Sequence, residues 1–246
     1  MEKLKTVILA AGKGTRMHSD LPKVLHKVCG QTMVHYVIKA AEDAGSSQII
    51  VITGYLSGVV RREIVDVVDF VEQKEQLGTG HAVMCARDEI GTEGDVIVLC
   101  GDTPLITAET IKKLVEKHRR ESNGVTVLSA IVDDPTGYGR IIRDYNGAFT
   151  SITEHKDCTE KELAVNEINS GMYVFNAEAL SASLSLLTNN NSQNEYYLTD
   201  TIAIIKKSGL KVDAMPVDDV NEILGVNTLT QLEEAEKIMT ERNAAE

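Results

Sequence analysis

Thr6-Val7-Ile8-Leu9-Ala10-Ala11-Gly12-Lys13-Gly14-Thr15-Arg16-Met17, with Leu21-Pro22-Lys23 close behind, is the stretch from which the rest of the chain can be read. Thr6 to Ala11 is an apolar run of strand length. It ends in a loop whose glycines let backbone N–H groups gather round an anion with no Cβ in the way. Arg16 and Lys23 add full charges to those partial ones, and Pro22 fixes the backbone ahead of Lys23. Such an arrangement suits the phosphates of a nucleoside triphosphate. Two other glycine loops do not fit. A P-loop needs Gly-Lys-Ser/Thr at its second glycine, and Gly14 is followed by Thr15-Arg16. The dinucleotide fingerprint needs a third glycine three residues further on, where this chain has Met17. A tight turn with no ligand stays open on these residues alone.

Beyond this loop, strand-like runs alternate with helical patterns. Residues 33–44 form an amphipathic segment with Val34, Val37, Ile38 and Ala41 on one face. Runs at 49–53 and 68–72 follow, then a helix from about 80 to 88 and a strand at 96–100. Every residue of that strand is apolar, as expected when both faces are covered. A helix over 108–120 precedes another strand at 125–132. The rhythm predicts an α/β fold, a Rossmann-like, mostly parallel, doubly wound sheet flanked by helices, with ligands at the carboxyl ends of its strands. The second half differs. Runs at 139–143 and 148–154 flank the hairpin signal Asn146-Gly147, strands are expected at 172–175 and 212–217, and segments near 180–187 and 198–207 look helical. This half is expected to join the same sheet and to form a smaller, mixed sugar-binding portion. Residues 1–227 would make one catalytic domain and 228–246 a polar, linker-type helix with a thin apolar stripe.

The 246 residues are 43% hydrophobic and 25% charged, ordinary for a globular domain with a sizeable core. A net charge of −12 argues against nucleic acid or an anionic membrane as partner. No stretch has the length of a membrane span and no signal peptide fits the start, so a cytoplasmic protein is expected. Cys29, Cys85, Cys100 and Cys158 are scattered, which reads as reduced thiols, and the six histidines show no paired zinc-ligand spacing.

The Leu-Ala-Ala-Gly-x-Gly-Thr-Arg-Met … Leu-Pro-Lys pattern resembles that of the sugar-nucleotide pyrophosphorylases, which join a sugar 1-phosphate to a nucleoside triphosphate. Further segments narrow the resemblance: Gln76-Leu77-Gly78-Thr79-Gly80-His81-Ala82, Gly101-Asp102-Thr103-Pro104-Leu105, Asp134-Pro135-Thr136-Gly137-Tyr138-Gly139-Arg140-Ile141, Glu154-His155-Lys156-Asp157, Glu167-Ile168-Asn169-Ser170-Gly171, Asn194-Glu195-Tyr196-Tyr197-Leu198-Thr199-Asp200 and Gly225-Val226-Asn227. Together they are similar to the uridylyltransferases that make UDP-N-acetylglucosamine for cell-wall precursors, from about Thr6 to about Asn227. The resemblance implies the nucleotide-diphospho-sugar transferase type of fold, UTP and N-acetylglucosamine 1-phosphate as substrates, and Mg²⁺ as cofactor. In two-activity members a helix like 228–246 leads into a β-helix that carries an acetyltransferase and is associated with trimers. No hexapeptide repeat occurs here, so that half is expected to be absent and the chain monomeric.

By the same resemblance, Arg16 and Lys23 are the catalytic cations. Leu9, Ala10, Ala11, Gly12, Lys23, Gln73, Gly78, Thr79, Cys100, Gly101 and Asp102 meet the nucleotide. Gly139, Glu154, Asn169, Tyr197, Thr199 and Asn227 meet the sugar, and Asp102 with Asn227 holds the metal. A glutamine amide presents a donor and an acceptor to a uracil edge, and a carboxylate after a strand suits a hard ion such as Mg²⁺. The attacking sugar-phosphate oxygen is already anionic, so no nucleophile triad or general base is required; positioning and charge neutralisation suffice. On spacing alone, Asp102 reads equally as a turn-capping aspartate, whereas Asn227 reads rather as a helix cap and residues 154–157 rather as a solvated charged loop. Two other functions remain in view. A sister nucleotidyltransferase of different base or sugar specificity would share the first loop without the Glu-His-Lys-Asp and Asn-Glu-Tyr-Tyr segments. A catalytically silent sugar-nucleotide sensor would be expected to lack Lys23 or a metal ligand.

Overall fold

Leu4–Ala10 (β1) is a central strand, paired in parallel on both edges and with most of its side chains buried on both faces. The computed structural model describes residues 3–245. After β1 come two short 3-10 turns, a small hairpin of β2 (Lys27–Val28) and β3 (Gln31–Thr32), and helix α1 (Met33–Asp43). Then follow β4 (Gln48–Thr53), α2 (Ser57–Glu63), β5 (Asp69–Glu72), α3 (Thr79–Cys85), α4 (Arg87–Ile90), β6 (Asp95–Cys100), α5 (Ala108–Arg120) and β7 (Asn123–Ile131). The second half contains β8 (Arg140–Arg143), β9 (Phe149–Thr153), α6 (Glu160–Leu163), β10 (Glu167–Asn176), α7 (Ala177–Leu184), α8 (Asp200–Lys207), β11 (Lys211–Pro216) and α9 (Leu229–Ala245).

The sheet runs β11-β7-β10-β6-β1-β4-β5, with β8 and β9 attached beside β10. All pairings from β6 to β5 are parallel, as is β7 with β11. β10 alone in the main path is antiparallel, to β6 and to β7. Side chains alternate across a strand, and here both faces are buried. Ile8 and Ala10 join Val34, Val37 and Leu114 on one side; Val7 and Ala11 join Val83, Leu180 and Ile202 on the other. That is why residues 7–11 and 96–100 read as unbroken apolar runs. Among the described residues no helix is long and apolar enough to cross a membrane.

Three expectations are corrected. The helix expected over 80–88 breaks at Ala86 (φ −96°, ψ 10°), where its N–H bonds to Val83 in a tighter turn. The apolar periodicity runs through the break, so the sequence gives no sign of it. The helix expected near 180–187 starts earlier, because the Asn176 side chain accepts from the Ala179 N–H and caps it. The strand expected at 172–175 is the end of the ten-residue β10, interrupted by a bulge between Asn169 and Tyr173.

Candidate active site

Parallel strands bring their carboxyl ends to one edge of the sheet, and the loops after β1, β4, β5 and β6 gather there. Gly14 has φ +64°, and a Cβ on it would lie 2.6 Å from the Lys23 Cβ. The missing side chain is what lets Lys23 lie across the loop. A Cβ on Gly12 would meet nothing within 4 Å, so its backbone stands open. Leu9 lines the neighbouring cleft, while Ala10 and Ala11 are buried.

Lys23 reaches two oxygens. Its ammonium pairs with the Asp102 carboxylate and donates to Asn227 Oδ1 at 2.9 Å. Arg16 donates to the same Oδ1 at 2.9 Å. The capping alternatives now separate from the site. Thr228, not Asn227, accepts the Gln231 N–H at the start of α9, while Gln231 Oε1 accepts the Asn227 N–H. Thr103 closes its own turn through Oγ1 on the Cys100 carbonyl, leaving the Asp102 carboxylate for Lys23. The Val226 N–H donates to the Asp102 carbonyl at 2.9 Å, tying the two loops together. One carboxylate and one amide oxygen thus converge on a single cation. That donor set fits Mg²⁺, which takes few protein oxygens and fills its shell with phosphate and water. Among the described residues no group of three His, Cys, Asp or Glu side chains is placed to hold a metal.

Next to this cluster, residues 77–80 clasp residues 196–198. Tyr196 N–H donates to the Leu77 carbonyl, Gly80 N–H to the Tyr196 carbonyl, both at 2.8 Å, and Leu198 N–H to Thr79 Oγ1. Gly78 sits at φ +107°, and a Cβ there would fall 2.6 Å from the Tyr196 oxygen. Gln73, only 3% exposed, donates through Nε2 to the Gly78 carbonyl at 3.0 Å and contacts His81 Nδ1 at 3.1 Å. Gly101 follows β6, its N–H on the Leu9 carbonyl. Cys100 Sγ contacts the Gly171 carbonyl, and burial pushes the thiol up to about 12, which does not suit Cys100 to act as a thiolate nucleophile.

A cleft of about 200 Å³ opens beside these loops, lined among others by Thr79, Tyr138, Gly139, Glu154, Asn169 and Thr199. Glu154 Oε1 accepts from the Thr199 hydroxyl at 3.0 Å. Burial raises the Glu154 carboxyl above the usual range, and the nearby Asp200, Asp157 and Glu195 add to it. Residue 154 therefore does not belong to a solvated loop, although Lys156 and Asp157 beside it are exposed. Asn169 donates to the Tyr173 hydroxyl and accepts from the Gly171 N–H, keeping one N–H and one lone pair to spare. Tyr197 is buried and its hydroxyl accepts from Gln193, while Leu198 and Thr199, next to it in the 197–200 turn, line the cleft. Tyr138 and Leu198 are wall residues that the sequence reading did not single out, although both lie inside quoted segments. Arg140, 1% exposed, donates to the Tyr138 carbonyl and lies 3.4 Å from His155 Nδ1, bracing the lip that carries Gly139. A larger groove of about 560 Å³, around Asp95, Arg119 and Asn123, holds none of the candidate residues.

Residues 5–220 match the nucleotidyl transferase family. Over 242 residues the chain is 54% identical to the bifunctional protein GlmU of Caldanaerobacter subterraneus subsp. tengcongensis, covering 98% of this chain and 53% of that protein. It is 49% identical over 238 residues to the bifunctional protein GlmU of Clostridioides difficile, covering 97% and 52%. The chain spans about half the length of the curated relatives it matches. A solved structure of UDP-glucose pyrophosphorylase complexed with UDP-glucose superposes with a TM-score of 0.80 at 19% identity, covering 98% of this chain and 100% of that one, a likeness of fold.

Proposed function

The chain belongs to the nucleotidyl transferase family, and on that premise we propose that it transfers a uridylyl group from UTP to N-acetylglucosamine 1-phosphate, releasing pyrophosphate. The observation that carries this reading is the convergence of Lys23, Arg16, Asp102 and Asn227 at the open end of the glycine loop, beside a cleft walled by Glu154 and Thr199. A catalytically silent sensor has no need of that cluster. The identity to proteins named GlmU supports the choice of substrates.

In the proposed reaction a phosphate oxygen of the sugar 1-phosphate attacks the α-phosphorus of UTP. The new P–O bond forms as the bond to the β-phosphate oxygen breaks, and pyrophosphate leaves. Lys23 and Arg16 neutralise the charge that develops, and the open backbone at Gly12 admits the phosphates closely. Mg²⁺, held by Asp102 and Asn227, would add charge neutralisation across the phosphates. Glu154, ionised, accepts hydroxyl hydrogen bonds from the sugar, with Thr199 fixing the carboxylate's orientation. The product would serve as a cell-wall precursor. The cytoplasm is the proposed compartment, which suits four cysteines that are all free.

The test is pyrophosphate release from UTP and N-acetylglucosamine 1-phosphate, with Mg²⁺ and with chelator, and with glucose 1-phosphate or CTP substituted in turn. Metal-dependent release confined to the matched pair is the expected result. Tight binding of UDP-N-acetylglucosamine with no release from any pair would replace the reading with that of a sensor.

A further inference from the structure

Gln73 lies at the carboxyl end of β5, its N–H on the Thr53 carbonyl, one loop away from Ala11 and Gly12. An amide side chain has two faces, an acceptor and a double donor, and which one points outward decides what it can read. Here the orientation is settled by the neighbours. The Gly78 carbonyl, 3.0 Å away, accepts only, so the atom facing it is the NH₂. The second hydrogen of that NH₂ points to His81 Nδ1 at 3.1 Å. An amide nitrogen has no lone pair to offer, so this contact requires Nδ1 to be the unprotonated, accepting nitrogen, with the ring proton on Nε2. Both donors of Gln73 are then used. Its Oε1 accepts no hydrogen bond from the described residues, on a side chain 97% withdrawn from solvent by the 3% exposure above.

We infer that His81 is a specificity-determining residue. By accepting at Nδ1 it pins the Gln73 amide with Oε1 outward, so the site selects a pyrimidine that donates from N3 and rejects cytosine. The inference rests on the uridylyl-transfer reading of the site. Uracil and thymine carry N–H at N3; cytosine carries a lone pair there. To receive cytosine, the Gln73 amide would have to turn over. Its oxygen would then face the Gly78 carbonyl and the His81 lone pair together, two repulsive contacts in a buried place. His81 does not touch the base in this scheme. It acts through Gln73 and is held in its own place on α3, with Tyr196 beside its ring.

The experiment compares kcat/KM for UTP, dTTP and CTP in wild type, His81→Phe and His81→Asn. Phe keeps the ring shape and removes the acceptor; Asn keeps an acceptor oxygen at the same distance from the backbone. His81→Phe is expected to shrink the UTP-to-CTP ratio about three- to tenfold, the worth of one hydrogen bond, with His81→Asn recovering most of it. A structural role alone would lower both substrates together, and an unchanged ratio would overturn the inference. Because a variant can fail to fold, ¹H–¹⁵N correlation of the wild-type imidazole gives an independent reading. A proton on Nε2 is expected, and one on Nδ1 in the neutral ring overturns the inference. Wild-type enzyme that uses UTP and CTP equally also overturns it while leaving the transfer reaction standing. Wild-type enzyme that releases no pyrophosphate from UTP removes the uridylyl reading and this inference with it.

Discussion

At Asn227 a single amide oxygen accepts from Lys23 and Arg16 at once, and Lys23 in turn holds Asp102, so the cluster behaves as one electrostatic unit. Asp102→Ala leaves the strand and turn untouched, since Thr103 closes that turn. Turnover is expected to fall by on the order of a hundredfold or more with the melting temperature nearly unchanged. Pyrophosphate release and a thermal melt on the same sample check both halves. Glu154 sets function against stability. Its carboxyl is raised by burial and by neighbouring carboxylates, so the folded chain holds that proton more tightly than the unfolded chain does. Its contribution to stability is then fullest below the ordinary carboxylate pKa and is lost as pH rises through the raised value. Sugar binding needs the ionised form, so KM for the sugar phosphate should begin to climb on acidification at a higher pH than an ordinary glutamate would give. Glu154→Gln should raise that KM, flatten its pH dependence and raise the melting temperature at neutral pH. A KM that stays level across the acid range in wild type would refute the assignment.

Elements place these residues through a few close backbone approaches. Gly78→Ala would put a Cβ into the Tyr196 carbonyl at a backbone angle that L residues avoid, opening the 77–80 and 196–198 clasp. A loss on the order of 2 kcal/mol is expected from urea unfolding, together with a higher KM for UTP, because Gln73 is oriented by the same Gly78 carbonyl. α9 is a second such element. The sequence presents it as a polar linker, yet Ala235 and Met239 are buried against Val28, Met33, Leu105 and Val226, and Arg242 donates to the Leu105 carbonyl. Its apolar stripe is too thin to announce that docking. The sequence was clearest where local rules suffice. α5 matches its reading end for end, because Thr107 caps it and its apolar periodicity is unbroken. It was silent on the α3–α4 break and on the Gln193 partner of the Tyr197 hydroxyl. The candidate site was legible as segments rather than as geometry. The quoted 76–82 and 194–200 segments carry the clasp, but nothing in their spacing says that they hold each other.

For the whole molecule, a net charge of −12 means that polyanionic substrates are drawn by a local cluster against the general field. That cluster draws on both halves of the chain, Arg16, Lys23 and Asp102 from one and Asn227 from the other. The sheet is knitted in the same way. The βαβ rhythm runs to residue 132, but among the described residues β7 pairs only with β10 and β11, both from the second half, which was expected to join the same sheet. β10 lies between β6 and β7, turned against both, a non-local insertion that no local pattern can reveal. Without it, β6 would expose an edge of backbone donors and acceptors, and with β11 absent as well, β7 would have no partner strand among the described residues. A fragment ending at residue 132 is therefore expected to lack a cooperative transition and near-ultraviolet signal, while the full chain unfolds in a single calorimetric transition. If residues 1–132 alone melted cooperatively, the first half would be a domain in its own right and the second an addition to it. The sheet order argues the reverse: nucleotide-side and sugar-side residues are fixed relative to one another because one buried strand of the second half closes the core of the first.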